Sequence, residues 1–156
     1  MAFQHVRARR AGVPARGCGD ERRIEVNYLA LIAATVAAFV ASSLWYVIFG
    51  KARVELLGKE PGATVDTRKP QPAKMAVEIF RTLIVTYVVA RFVALLGIAS
   101  WSGALQFAVW LWIGFPLMIL SGSVLWDKRP WKLAAIHAGD WFVKLIVMAI
   151  ILAAWR

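Results

Sequence analysis

Hydrophobic residues in this chain come in long unbroken runs, not at every second or third position. No charged residue occurs from Val26 to Gly50, and none from Phe92 to Trp126. A helix that crosses a bilayer needs about 20 apolar residues at 1.5 Å rise each. The first run fits one such span. The second, about 35 residues, is too long for one helix and has to contain a turn. The pattern predicts four spans, at about 28–49, 76–96, 104–125 and 133–155. Gly50 and Lys51 are expected to stop the first, and "GIASWSG", Gly97 to Gly103, to form a tight turn between the second and third. Pro116 removes a backbone hydrogen bond within the third span and should kink it. One long and two short connections make the expected fold class an all-α membrane protein, an antiparallel bundle of four transmembrane helices.

The ends and joints of these runs add detail. Residues 1–25 hold six Arg, three acids, three Gly and one Pro, without the apolar stretch of a signal peptide. They read as a disordered basic N-terminal tail ahead of a 26–156 transmembrane domain. A second reading is that they are not native: "VNYLALIAA" opens abruptly at Val26, and a gene can start at a valine codon that is read as Met. Ala30, Ala34, Ala38 and Ser42 fall every four residues, a small-residue stripe that lets helices approach closely in lipid. Trp45, Tyr46, Trp126, Trp131 and Trp155 sit at span ends, with Lys51 as a basic anchor, as interfacial residues do. "ARVELLG" is expected to lie along the interface, and residues 51–75 otherwise to form a loop.

Composition agrees with the pattern. The 156 residues are 60% hydrophobic, with a mean hydropathy of +0.62. The net charge of +10 would suggest nucleic acid in a soluble protein. Here the basic residues cluster at span ends, so the expected partner is the lipid bilayer and its anionic headgroups, not nucleic acid. The 51–75 and 127–132 loops share one side and carry nine Lys and Arg, against seven on the other side, or one if the chain starts at Val26. That count places the two loops in the cytoplasm. A single cysteine, Cys18, excludes an internal disulfide and a CxxC pair.

"IHAGDWFVK", Ile136 to Lys144, interrupts the last apolar run with His137, Asp140 and Lys144. Spacings of three and four put them on one helix face, with Asp140 able to reach both neighbours. Lys144 lies about 18 Å along the span from Lys132. A charge at that depth costs roughly 2.5–3.5 kcal/mol, so Asp140 is expected to pair with Lys144 or with Arg81 of the second span. Glu78 and Arg81 stand one turn apart and read as a surface pair. Arg91 can snorkel to the opposite surface. Glu78 and Asp140 are the only acids inside the expected spans. Two readings of the cluster are open: a proton, ion or substrate site, or a self-neutralising lock on the bundle. No metal site and no cofactor is expected, and no Ser-His-Asp set, phosphate loop or catalytic carboxylate pair occurs.

Three stretches carry a resemblance: "NYLALIAATVAAFVASSLWYVIFGKA", "WIGFPL" and "IHAGDWFVKLIVMAIILAAW". Over about 130 residues, Asn27 to Arg156, the chain resembles the bacterial membrane family named domain of unknown function 1761. Its most specific parts are Trp45-Tyr46 with Phe49-Gly50-Lys51, and Ala138-Gly139 with Trp155. The resemblance implies four spans in a bacterial inner (plasma) membrane and implies no activity. It also implies an aromatic where Asp140 stands and a neutral residue where Lys144 stands, so this pair departs from the pattern. The function expected first is a non-enzymatic membrane helper or structural subunit that associates with itself or with another membrane protein. The alternative is a small proton- or ion-coupled transporter or channel that uses Asp140 and Lys144.

Overall fold

The computed structural model describes residues 26–58 and 72–155. The tail 1–25, most of the 51–75 loop with Lys59, Arg68 and Lys69, and Arg156 lie outside the described residues. The described residues form five α-helices: α1 (Tyr28–Leu57), α2 (Pro72–Leu95), α3 (Trp101–Trp112), α4 (Met118–Trp126) and α5 (Trp131–Ala154). Among the described residues there is no strand.

Local chemistry sets the ends. Asn27 caps α1, its side chain accepting from the Leu29 and Ala30 N–H groups. Proline suits the first turn of α2, where its missing N–H is no loss. α2 closes on Gly97, whose φ of +67° is left-handed. The Gly97 N–H bonds to Ala94 O and the Ile98 N–H to Val93 O, the pairing that satisfies the last carbonyls of a helix. The turn is shorter than expected, because Ser100 already caps α3 by accepting from the Gly103 N–H at 3.1 Å.

The expected end of the first span is corrected. Helix α1 does not stop at Gly50 and Lys51; it runs on to Leu57 and closes at Gly58. The seven residues beyond Gly50 are good helix formers, and Arg53 lies over the Tyr46 ring, 5.3 Å from its centroid, two turns back. The segment "ARVELLG" is therefore a continuation of α1. The third apolar stretch is helical from Trp101 to Trp126, but a π-helical turn, Ile113–Leu117, joins α3 to α4. Pro116 sits in that turn, which takes up the hydrogen bond proline cannot make.

Helix α5 is the hub and packs against all four others, most extensively against α1 and α3. Ala30, Ala34 and Ala38 of α1 are buried in one core with Val89 and Val93 of α2, Ala104 and Ala108 of α3, and Leu145, Met148 and Ala149 of α5. The small-residue stripe is thus consumed inside this chain. Beside this apolar core, polar side chains are also buried, and many apolar ones face outward. Buried Thr35, Ser42, Thr82, Thr86, Asp140 and Lys144 are polar, while exposed Ile32, Val36, Val40, Ile79, Ile84 and Val88 are apolar. Thr35, Thr82 and Thr86 each donate to the carbonyl four residues back, so no buried hydroxyl is left unsatisfied there.

Three helical stretches are long and apolar enough to cross a membrane: Tyr28–Leu57, Trp101–Trp126 and Trp131–Ala154. Helix α2 has the length, at 24 residues, but its Lys74, Glu78, Arg81 and Arg91 leave it outside that set.

Candidate functional site

The charged residues of α5 meet those of α2. Asp140 and Lys144 are 3% and 4% exposed. Lys144 Nζ lies 3.1 Å from Asp140 Oδ2, one turn away on α5. The same ammonium donates to Glu78 Oε1 across the seam, also at 3.1 Å. The Trp141 ring lies 5.5 Å from Nζ. One buried cation thus has two carboxylates and an indole face around it, which repays much of the cost of removing it from water. Arg81 bonds to the other Glu78 oxygen at 3.4 Å and is 65% exposed. Arg81 therefore answers Glu78, not Asp140, and the set Asp140, Lys144, Glu78, Arg81 is neutral overall.

A pocket of about 240 Å³ opens between α2 and α5 beside this network. Glu78, Arg81, Thr82, Trp141, Lys144 and Met148 line it.

The opposite side of the Asp140 turn faces α1. The Tyr46 hydroxyl and His137 Nδ1 share a 2.8 Å hydrogen bond. Trp45 Nε1 donates to Ile136 O at 3.0 Å, and Trp112 Nε1 of α3 donates to Ala138 O at 2.7 Å. Two indoles from different helices thus pin the turn that precedes Asp140. The Trp45 ring packs against Gly139, where a Cβ would run into it. Trp45 and Tyr46 are half-buried against α5, whereas Trp126, Trp131 and Trp155 are exposed at helix ends and Lys51 is exposed within α1. Arg91 is half-buried on α2, away from this network.

Asp140 has one unusual feature. Its Oδ2 is paired, but its buried Oδ1 has no hydrogen-bond partner among the described residues. An unpaired carboxylate oxygen in a low-dielectric interior is costly, and such atoms mark places where a proton, water or ion binds. Among the described residues, no group of three or more His, Cys, Asp or Glu is placed to hold a metal ion.

Spacing along α5 exposed the cluster, but it did not reveal Glu78 as a partner of Lys144, Tyr46 as a partner of His137, or Trp112 and Trp141 as members of the site. A signal for part of this lay in the resemblance: its two most specific motifs, Trp45-Tyr46 and Ala138-Gly139, touch each other in the fold. No curated protein and no solved structure matches the chain. The family described as Protein of unknown function (DUF1761) matches residues 29–153, most of the chain, and the protein belongs to that family.

Proposed function

We propose that the protein is a non-enzymatic integral membrane protein of the bacterial inner membrane, an antiparallel four-span bundle that serves as a helper or structural subunit for another membrane chain. Four spans require α2 to cross. The support is its burial: Thr82 and Thr86 face the core and Glu78 meets Lys144, while Val77, Ile79, Phe80, Ile84 and Val88 face outward. That face suits lipid and does not suit water. The observation that carries the subunit reading is the α3–α4 arm. Of its 26 residues only Ala104 and Ala108 are buried by this chain, and Trp110, Phe115, Met118 and Ile119 project outward. Photo-crosslinkers at Trp110 and Phe115 in native membranes test it. A discrete crosslinked polypeptide supports the reading; labelled lipid alone at both positions sinks it.

A second reading is a small proton- or ion-coupled transporter. The specific observation in its favour is the unpaired Asp140 Oδ1 on the residue that pairs with Lys144, which lines the α2–α5 pocket. A fully satisfied lock would need neither. Proton and cation flux through purified protein in liposomes tests this reading, and flux no greater than in empty liposomes rejects it.

A further inference from the structure

Helix α2 turns apolar side chains outward, and an arginine stands among them. Val77, Phe80, Ile84 and Val88 are exposed, and the Arg81 side chain between them is 65% exposed. Arg81 spends one N–H on Glu78 Oε2 at 3.4 Å, long for a hydrogen bond. Its planar fork has further donors, in the geometry that phosphate oxygens accept. A guanidinium on a lipid-facing surface draws anionic headgroups to it.

Arg81 also lines the α2–α5 pocket. Of the charged lining residues two are positive, Arg81 and Lys144, and one is negative, Glu78. Asp140, which balances the network through Lys144, is not part of the lining. The wall of the pocket is therefore net positive by one charge. Both Glu78 oxygens are engaged, Oε1 by Lys144 and Oε2 by Arg81. Ile84, Val85 and Met148 add hydrocarbon to the wall. At about 240 Å³ the space is below the roughly 300–1,000 Å³ that enclose a whole small-molecule ligand. It suits a head group whose tails run out of the seam.

We propose that the α2–α5 pocket binds one membrane phospholipid with a singly anionic head, of the phosphatidylglycerol type. Arg81 donates to its phosphodiester, the buried Lys144 ammonium adds its field, and the first methylenes of its tails lie against Ile84, Val85 and Met148. The single negative charge of the phosphodiester matches the net charge of the wall. A phosphatidylethanolamine head brings an ammonium as well, and the carboxylate that would receive it is already taken. The inference rests on the proposed crossing of α2, which sets Arg81 against lipid, and names what that face binds.

Native mass spectrometry of the full-length protein, ejected from bilayers of equal parts phosphatidylglycerol and phosphatidylethanolamine, tests the site. One phosphatidylglycerol is expected to stay bound, in preference to phosphatidylethanolamine. Arg81→Gln should weaken it about tenfold, the worth of one charge-assisted contact. Arg81→Lys should restore part of the loss, because the charge returns without the fork. Ile84 is exposed, so Ile84→Trp narrows the seam without entering the core and should also weaken the lipid. Equal retention of the two lipids overturns the charge match. A phosphatidylglycerol preference that Arg81→Gln and Ile84→Trp both leave unchanged puts the lipid elsewhere and overturns the site. Glycerophosphoglycerol, the same head without tails, should not displace the lipid at equal concentration; displacement would make the ligand a soluble phosphodiester and overturn the lipid. Single cysteines at Lys74 and Ser102, with Cys18 changed to serine, read the crossing of α2 separately, by labelling from opposite sides. Opposite labelling with no retained lipid removes the site and leaves the crossing; same-side labelling removes the crossing and the site with it.

Discussion

Lys144 decides the energetics of the site at the residue scale, because it serves two carboxylates and only one of them has an alternative. Glu78 is 41% exposed on its side chain and retains Arg81, so it can turn to water. Asp140 cannot. Removing one partner of a buried pair costs about 3–5 kcal/mol, because the other charge is stranded. Lys144→Met is therefore expected to lower stability by about that amount, measured by thermal unfolding in detergent or bilayers. Asp140→Asn should cost less, since Lys144 keeps Glu78. The double change should recover much of the loss. Single variants as stable as the parent would show that these groups reach water. Gly139 gives a second, independent expectation. A Cβ there would meet Trp45 Cη2 at 2.8 Å, and the indole cannot yield without losing its bond to Ile136 O. Gly139→Ala should destabilise by about 1–3 kcal/mol, the usual cost of overpacking. Gly50→Ala, with nothing within 4 Å, should be neutral or mildly stabilising in the same unfolding assay. The α5 half of this site was legible in the sequence, since a spacing of three and four fixes one face. The α2 half was not, because Glu78 and Lys144 are 66 positions apart and no local rule joins them.

Elements were legible where apolar length sets them and illegible where a single contact does. The last helix, expected at about 133–155, is Trp131–Ala154, and the third stretch, expected at about 104–125, is Trp101–Trp126. Gly50 and Lys51 looked like a stop because glycine and a charge usually end a span; the Arg53–Tyr46 contact carries α1 past them. The proline at 116 was visible, but its resolution as a π-helical turn depends on how α3 and α4 both seat on α5. The α2–α3 connection offers a direct check. Gly97 is held left-handed by two hydrogen bonds back to Val93 and Ala94. A side chain in that conformation costs about 1 kcal/mol or more. Gly97→Val should lower the unfolding temperature clearly, and Gly97→Asn much less, because Asn tolerates this region. Equal loss in the two variants would indicate a packing defect there instead.

At the scale of the whole molecule, the arrangement follows from putting one helix with two buried charges at the centre and surrounding it with helices that can satisfy them. Helix α1 brings Tyr46 and Trp45, α2 brings Glu78, and α3 brings Trp112. That hub role was not legible in the sequence, where α5 differs from its neighbours only by three ionisable residues. Topology is the property that the sequence argues and the fold constrains. Arg53, near the end of α1, lies over the Tyr46 ring, and Tyr46 is hydrogen-bonded to His137 near the start of α5, so these two helix ends lie at one end of the bundle. Lys51, Lys128 and Lys132 belong to the same end by their places in α1 and α5. Basic residues next to span ends are retained on the cytoplasmic side, since carrying them across the bilayer is costly. The loop between α4 and α5 is therefore expected in the cytoplasm, and the turn between α2 and α3 outside. Single cysteines at Lys128 and Ser102, in a background with Cys18 changed to serine, distinguish the two sides. An impermeant maleimide applied to intact cells should label Ser102→Cys and leave Lys128→Cys untouched until the membrane is opened. The reverse pattern would invert the orientation. Labelling of both from outside would mean that the α3–α4 stretch between them does not cross, and the four-span bundle would fall with it.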